Sequence, residues 1–427
     1  EISCSLVGSE MRIRDRNKKE ILTKKLASLA VRVGANVQKD QIVVITSDLH
    51  AAPLVKFIQK EAYLAGAKKV YVEWNDDELT RNYYTYASDE TLQEIPEWNL
   101  SKMRYFVDQH ACRIVIDSKN PHAMKGVDVN KMMMANRAIG PKTAFFQNHY
   151  SSSKSQWTIV AYPNDEWAQT VFPNLTVDEA WDKLFDAIMY TSRISLDHDE
   201  KEEWKNHTKD LENHSKKMNA YNFKTLHFEN SLGTNLDIEL VQSHIWAGGG
   251  EMGGNGVYFV PNIPTEEIFT MPHKDKVNGK VVSTKPLNYQ GTLIKDFYFI
   301  FKDGKVVDFD AKEGYEALKS LLDLDEGSSR LGEVALISYD SPISNLNILF
   351  NNTLFDENAS CHLALGNAYA MNVVNGTTMK EEELVKLGYN VSLTHVDFMF
   401  GSSDMKITGY THDGKEIPIF VKGNFVF

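Results

Sequence analysis

Between positions 17 and 33 apolar residues recur at Ile21, Leu22, Leu26, Leu29 and Val33, the spacing of one helical face, and Gly34 ends the run as a C-cap glycine would. The period then changes. QIVVIT at 41 to 46 and KVYVEW at 69 to 74 are short continuous runs rich in β-branched residues, separated by a helix-like stretch from Ala52 to Ala65 that Gly66 closes. Strand, helix and strand in that order predict a βαβ unit, and apolar runs without alternation predict a parallel sheet covered on both faces. RIVID at 113 to 117 and TAFFQ at 143 to 147 read as further strands of it. Thr176 and Glu179 make a capping box ahead of Trp181, Leu184, Phe185 and Ile188, and a charged helix is expected over about 199–221.

Past residue 222 the texture alternates strand-like segments (LHFEN, LDIELV, VYFV, FYFIFKDG, KVVDFD) with glycine turns, and one helix is expected around Tyr315 to Leu322. The expectation is an α/β domain with a largely parallel sheet over 11–221, its charged last helix serving as linker, followed by an α+β domain with mainly antiparallel strands over 222–427. Because Met11 opens a basic amphipathic run, residues 1 to 10 read as a possible leader. At 427 residues two domains are the default, and 42% hydrophobic with 24% charged residues is globular composition. The balance of 46 basic against 58 acidic residues, net −12, repels phosphate backbones and argues against nucleic acid as a partner. No run approaches 18 apolar residues, so no membrane partner is expected. Three scattered cysteines, Cys4, Cys112 and Cys361, make no disulfide framework and point to a reducing cytoplasm. The sequons at Asn174, Asn206 and Asn358 read as chance matches.

The candidate chemistry lies in the last 170 or so residues: Glu267 in NIPTEEIFTMP, Glu333 in RLGEVAL, Glu357 and His362 in DENASCHLALGNAY with Tyr369 at its end, and His395 and Asp397 in THVDFMFG. Two divalent ions roughly 3.5–4 Å apart need two or three protein ligands each and a bridging carboxylate, which this set can supply. Each motif also has a plain structural reading. Thr265 could cap a helix with Glu266 and Glu267 complementing its dipole, yet Ile268, Phe269 and Thr270 favour strand, so only one of the two glutamates can face a site. Glu333 sits among apolar residues where an unpaired carboxylate costs several kcal/mol, so it needs a cation, with a salt bridge to Arg330 as the alternative. ENASCHLALGNAY suits a buried helix with His362 and Tyr369 on one face and Glu357 at its start. His395 and Asp397 alternate with Val396 and Phe398, a strand pattern that puts both on one face. His227, His244 and His273 read as structural, and Cys361 beside His362 as no nucleophile pair, since adjacent helical residues diverge by about 100°. GGGEMGG contains G-x-G-x-x-G but precedes a strand, so it reads as a turn. Neither G-x-S-x-G nor H-E-x-x-H occurs.

Taken together, NIPTEEIFTMP, RLGEVAL, LFDENASCHLALGNAY and THVDFMFGSSDM resemble the metallo-aminopeptidase family of aminopeptidase T, aminopeptidase S and PepS. VNGKVVSTKPLNYQG, FKDGKVVDFDAKEG and GNFVF also resemble its PepS-like branch, and WTIVAYPNDEWA does so more loosely. The resemblance implies metal ligands at Glu267, Glu333, Glu357, His362, Tyr369, His395 and Asp397, with none substituted, and a homodimer. It further implies two divalent ions per chain, zinc or cobalt first, with manganese or magnesium also compatible. The expected reaction removes N-terminal residues from peptides through a metal-activated water, Glu357 or Glu333 moving the proton and Tyr369 either ligating a metal or stabilising the oxyanion. Glu266 and Asp356 are spare acids available to hold the substrate's free amine. Two alternatives stay open: a dinuclear amide hydrolase acting on non-peptide substrates, and a metal-binding protein without catalysis.

Overall fold

The computed structural model describes residues 17–289 and 292–427, so Cys4 and the leader expected over residues 1 to 10 lie outside the described residues. The chain forms two compact units, one running to Asn206 and taking in Gly250–Pro264, the other holding His207–Gly249 and Thr265–Phe427.

In the first unit helix α1 (17–29) runs on into one wider turn over Ala30–Gly34. Gly34 is required there for contact, not for a left-handed cap: a Cβ would lie 2.7 Å from Thr158 Oγ1. Strands β1 (Ile42–Asp48), β2 (Lys69–Asn75), β3 (Cys112–Asp117) and β4 (Trp157–Ala161), with α2 (Ala52–Leu64) between the first two, form an all-parallel sheet in the order β2-β1-β3-β4. TAFFQ is not one of its strands. It lies inside helix α3 (Val129–Ser151), where Phe146 and Tyr150, one turn apart, are buried and meet edge to face at 5.1 Å. A five-residue apolar run does not by itself distinguish strand from buried helix, and here it lies in a 23-residue helix whose buried Phe146, His149 and Tyr150 follow helical spacing. The fourth strand comes from WTIVA, which pairs with β3. Helix α4 (Val177–Thr191) starts at the expected Thr176–Glu179 capping box, and the charged helix α5 spans Glu200–Tyr221.

The remaining strands are β5 (Thr225–Glu229), β6 (Asn235–Leu240), β7 (Ala247–Gly248), a small hairpin of β8 (Glu251–Met252) and β9 (Tyr258–Phe259), β10 (Ile268–Thr270), β11 (Pro272–Val282), β12 (Leu287–Tyr289), β13 (Thr292–Lys302) and β14 (Lys305–Glu313). After helix α6 (Tyr315–Leu322) come β15 (Leu331–Leu336), β16 (His362–Gly366), β17 (His395–Met399), β18 (Lys406–Tyr410), β19 (Glu416–Val421) and β20 (Asn424–Phe425). GGGEMGG supplies β7 and β8, and no helix follows it. The second unit holds two antiparallel sheets: a large one ordered β12-β13-β11-β6-β5-β18-β19-β20 with β14 on β13, and a smaller one ordered β17-β16-β15-β10-β7. Their shared core includes Phe228, Phe297 and Phe299 from the larger and Leu363, Leu365 and Phe398 from the smaller, with the Phe299 and Phe398 rings 5.1 Å apart. One face of the smaller sheet is thereby committed to the core, and the other carries the polar side chains.

Candidate metal centre

Strand alternation sorts the residues of the smaller sheet. Val334, Leu363 and Phe398 point into the core, so their neighbours Glu333, His362, Asp397 and, two along, His395 emerge together on the opposite face. The register places Glu333 beside Ala364 and Ala364 beside Asp397, while His362 stands between Ala335 and Met399 and Gly366 faces His395. The polar chains therefore rise around small residues that leave space between them. Glu267 enters from the residue before β10, and Glu357 from a single 3₁₀ turn over Glu357–Ala359.

This arrangement corrects the helix expected over ENASCHLALGNAY. Its central residues form β16, fully buried between β15 and β17, because strand pairing on both sides outweighs the helical preference of Leu and Ala. Cys361 consequently faces away from His362, with its Sγ against the backbone of Ile337.

The geometry is compact. His362 Nε2 lies 3.3 Å from Glu267 Oε2 and 3.4 Å from Glu333 Oε1, and His395 Nε2 lies 3.4 Å from Asp397 Oδ1 and 3.7 Å from Glu333 Oε2. Two triads result, Glu267–Glu333–His362 and Glu333–His395–Asp397, each with one ligand atom per residue within 4.8 Å of the others. Glu333 belongs to both. His395 Nδ1 sits 2.7 Å from the Asn367 carbonyl and His362 Nδ1 3.4 Å from that of Ser360, an arrangement that leaves Nε2 of a neutral ring as a lone-pair donor. Asp397 Oδ1 is buried with no hydrogen bond of acceptable geometry. Carboxylates this deep, facing imidazole lone pairs, fit a divalent cation.

Without one, the cluster holds protons instead. Burial lifts the Glu267 carboxyl to about 7, the His362 charge opposing and the Glu333 and Asp397 charges adding to it. Burial, then the Asp397 and Glu267 charges, raise Glu357 well above the usual carboxyl range. Burial works against the charged form of both histidines, yet the hydrogen bond and charges of Glu333, Glu267 and Asp397 carry His362 to about 10, and Asp397 with Glu333 carries His395 to about 9. Asp397 is held low by His395 despite its burial.

Tyr369 follows β16 and remains 42% exposed, its ring 4.8 Å from that of His395. Desolvation around the hydroxyl and then the nearby carboxylates, Glu333 first, raise its pKa, so it is an O–H donor at the margin of the two triads. Arg330 does not neutralise Glu333: it pairs with Asp275 at 2.9 Å. Of the two spare acids, Glu266 faces His207 at 3.8 Å, away from the cluster. Asp356 spends its oxygens on the Phe350 and Asn352 amides at 2.8 and 3.0 Å. Two residues escaped the sequence reading. Asn358, fully buried, takes the Glu266 amide on Oδ1 at 2.8 Å and so ties the Glu357 turn to the Glu267 strand, while Asn367 supplies the carbonyl that orients His395. The sequence marked Asn358 as part of a sequon and as the neighbour of Glu357, and neither signal pointed to this role.

Sheets, face and cluster together define a protein built to hold divalent metal ions. The chain belongs to the family of thermophilic metalloproteases designated M29, which it matches over residues 19–425. It is 47% identical to aminopeptidase 2 of Geobacillus stearothermophilus, over 94% of this chain and 97% of that protein, and 45% identical to aminopeptidase AmpS of Bacillus subtilis over the same shares. The solved structure of wild-type AmpT from Thermus thermophilus superposes with a TM-score of 0.88 at 36% identity, covering 95% of this chain and 99% of that one. The enzyme class is accordingly that of the metallo-aminopeptidases.

Proposed function

We propose that the chain removes N-terminal residues from peptides with a free amine, using two divalent ions held by Glu267, Glu333 and His362 on one side and by Glu333, His395 and Asp397 on the other. The carrying observation is that Glu333 belongs to both triads, as a bridging carboxylate would. Ions held by these residues would supply Lewis acidity at the scissile carbonyl and lower the pKa of a water. Glu357, beside the triads but in neither, takes the water's proton on its carboxylate and delivers it to the leaving nitrogen. Tyr369 Oη donates to the carbonyl oxygen as it gains charge. The site's two imidazoles and several carboxylates suit zinc, cobalt or manganese. The buried free thiols of Cys112 and Cys361 support a reducing cytoplasm as the working compartment. A homodimer belongs to the same reading, and light scattering at the single-chain mass of 48.5 kDa would count against it.

The test is a pair of identical peptides, one free and one N-acetylated, with the metal content of the enzyme measured in parallel. Acetylation is expected to cost at least about two decades in kcat/KM, because a lost charge-assisted contact is worth about 1.5–3 kcal/mol and 1.4 kcal/mol is tenfold. Equal cleavage of both peptides, or full activity in protein stripped of metal, would contradict the proposal.

A further inference from the structure

Beside the cluster, on the same face of the smaller sheet, lies a cavity of about 150 Å³. Leu287, Leu349 and Met399 give it an apolar side, and Asn351, Asn352 and Thr353 a polar one. Asn288 edges it, and Glu357 and Asp397 form its wall towards the cluster. Met399 emerges on the ligand face because it stands two residues beyond Asp397 on β17, opposite His362. Leu287 comes from β12 and Leu349 from the loop ahead of the Glu357 turn, so three separate segments close around the space. Asp356 also borders it, but both of its oxygens already accept backbone N–H groups.

An aminopeptidase cuts the bond one residue from the chain end, so the first side chain must lodge within a few Å of the reacting carbonyl. The described cavity that shares walls with Glu357 and Asp397 is placed to receive it. Its lining is mixed but exposes more apolar than polar surface, and a cavity of this volume has room for about one benzene ring. A cationic side chain would be desolvated there beside carboxylates already engaged, Asp356 by backbone amides and Asp397 by His395, and an acidic one would meet the charges of Glu357 and Asp397. We propose, on the strength of the aminopeptidase reading above, that this cavity is the pocket for the substrate's first side chain. It selects peptides that begin with an uncharged apolar residue of the size of leucine, methionine or phenylalanine.

The experiment measures kcat/KM for free-amine tripeptides that differ only in the first residue: leucine, methionine, phenylalanine, alanine, lysine or aspartate. The first three are expected to exceed the others by at least about tenfold, the discrimination that one methylene earns in an apolar pocket. Leu349→Ala should shrink the advantage of leucine over alanine by about tenfold. Asn288→Asp, at an exposed rim position that does not threaten folding, should raise lysine-first relative to leucine-first peptides. A flat profile, or a selective one that neither substitution moves, would overturn the pocket while leaving peptide cleavage standing. Failure to cleave any member of the series would remove the aminopeptidase reading and this inference with it.

Discussion

Glu357 and Glu333 sit within one cluster yet should fail differently when altered. Glu333 is shared by both triads, so Glu333→Ala is expected to release metal as well as abolish turnover, and His362→Ala to empty the triad it shares with Glu267. Glu357 stands outside both triads, so Glu357→Gln should keep the metal and lose about 10²–10⁴ in kcat, the usual worth of a positioned proton acceptor. Elemental analysis of the purified variants beside their rate constants separates the two cases. If Glu333→Ala kept its full metal content, or Glu357→Gln its rate, the corresponding role would be wrong. Several of these residues were legible individually, because a carboxylate inside RLGEVAL or an H-x-D pair in a strand pattern demands an explanation that a surface charge does not. The anchors assigned to Glu266 and Asp356 were not legible, since sequence cannot show that one faces His207 and the other binds its own loop.

At the scale of elements, the segment entering β17 is held by one side chain. Asp325 accepts the Leu393 amide at 2.6 Å, the Ser392 hydroxyl at 2.8 Å and the Ser328 amide at 2.7 Å, which fixes the loop two residues before His395. Asp325→Ala should therefore weaken metal binding about 10–100-fold without removing a ligand. Competition with a coloured chelator measures this, and an unchanged affinity would mean that the β16–β17 pairing alone orients His395. The elements also divide by how well they were foreseen. The β-branched runs of β1, β2 and β3 and the alternating β17 appear as strands where the sequence put them. TAFFQ and HLALG exchanged types, one becoming helix and the other strand, because a run of five residues carries too little period to oppose what its neighbours impose.

For the whole molecule, the cluster links metal, protons and stability. Burial lifts Glu267 to about 7 from an unfolded value near 4.3, and Glu357 moves the same way, so the metal-free fold binds these protons more tightly than the unfolded chain. That contribution is complete below about pH 4 and is lost as pH rises to about 7. His362 and His395, raised to about 10 and about 9, add a loss in the same direction above about pH 6.5, while Asp397, held low by His395 despite its burial, runs the other way only below about pH 4. Bound cations replace the protons and cancel the cost. The stabilisation by metal should therefore be larger at pH 8 than at pH 5, and each kcal/mol amounts to about 2–4 °C in Tm for units of this size. Calorimetry of loaded and stripped protein at both values tests the sign, and a gap that narrowed towards pH 8 would refute it.

The sequence alone determined the two fold classes, an α/β portion followed by antiparallel strands, because hydrophobic period is a local property that many residues repeat. It also determined which side chains were candidates for metal, because buried carboxylates and imidazoles are costly without a partner. Only the tertiary structure decided which of them meet. Glu267 and Asp397 are separated by most of the second unit, and what joins them is the order β17-β16-β15-β10 and a register that sets Glu333, Ala364 and Asp397 in one row. Strand order and register depend on pairings between segments distant in the chain, where a shift of one residue would turn every ligand into the core.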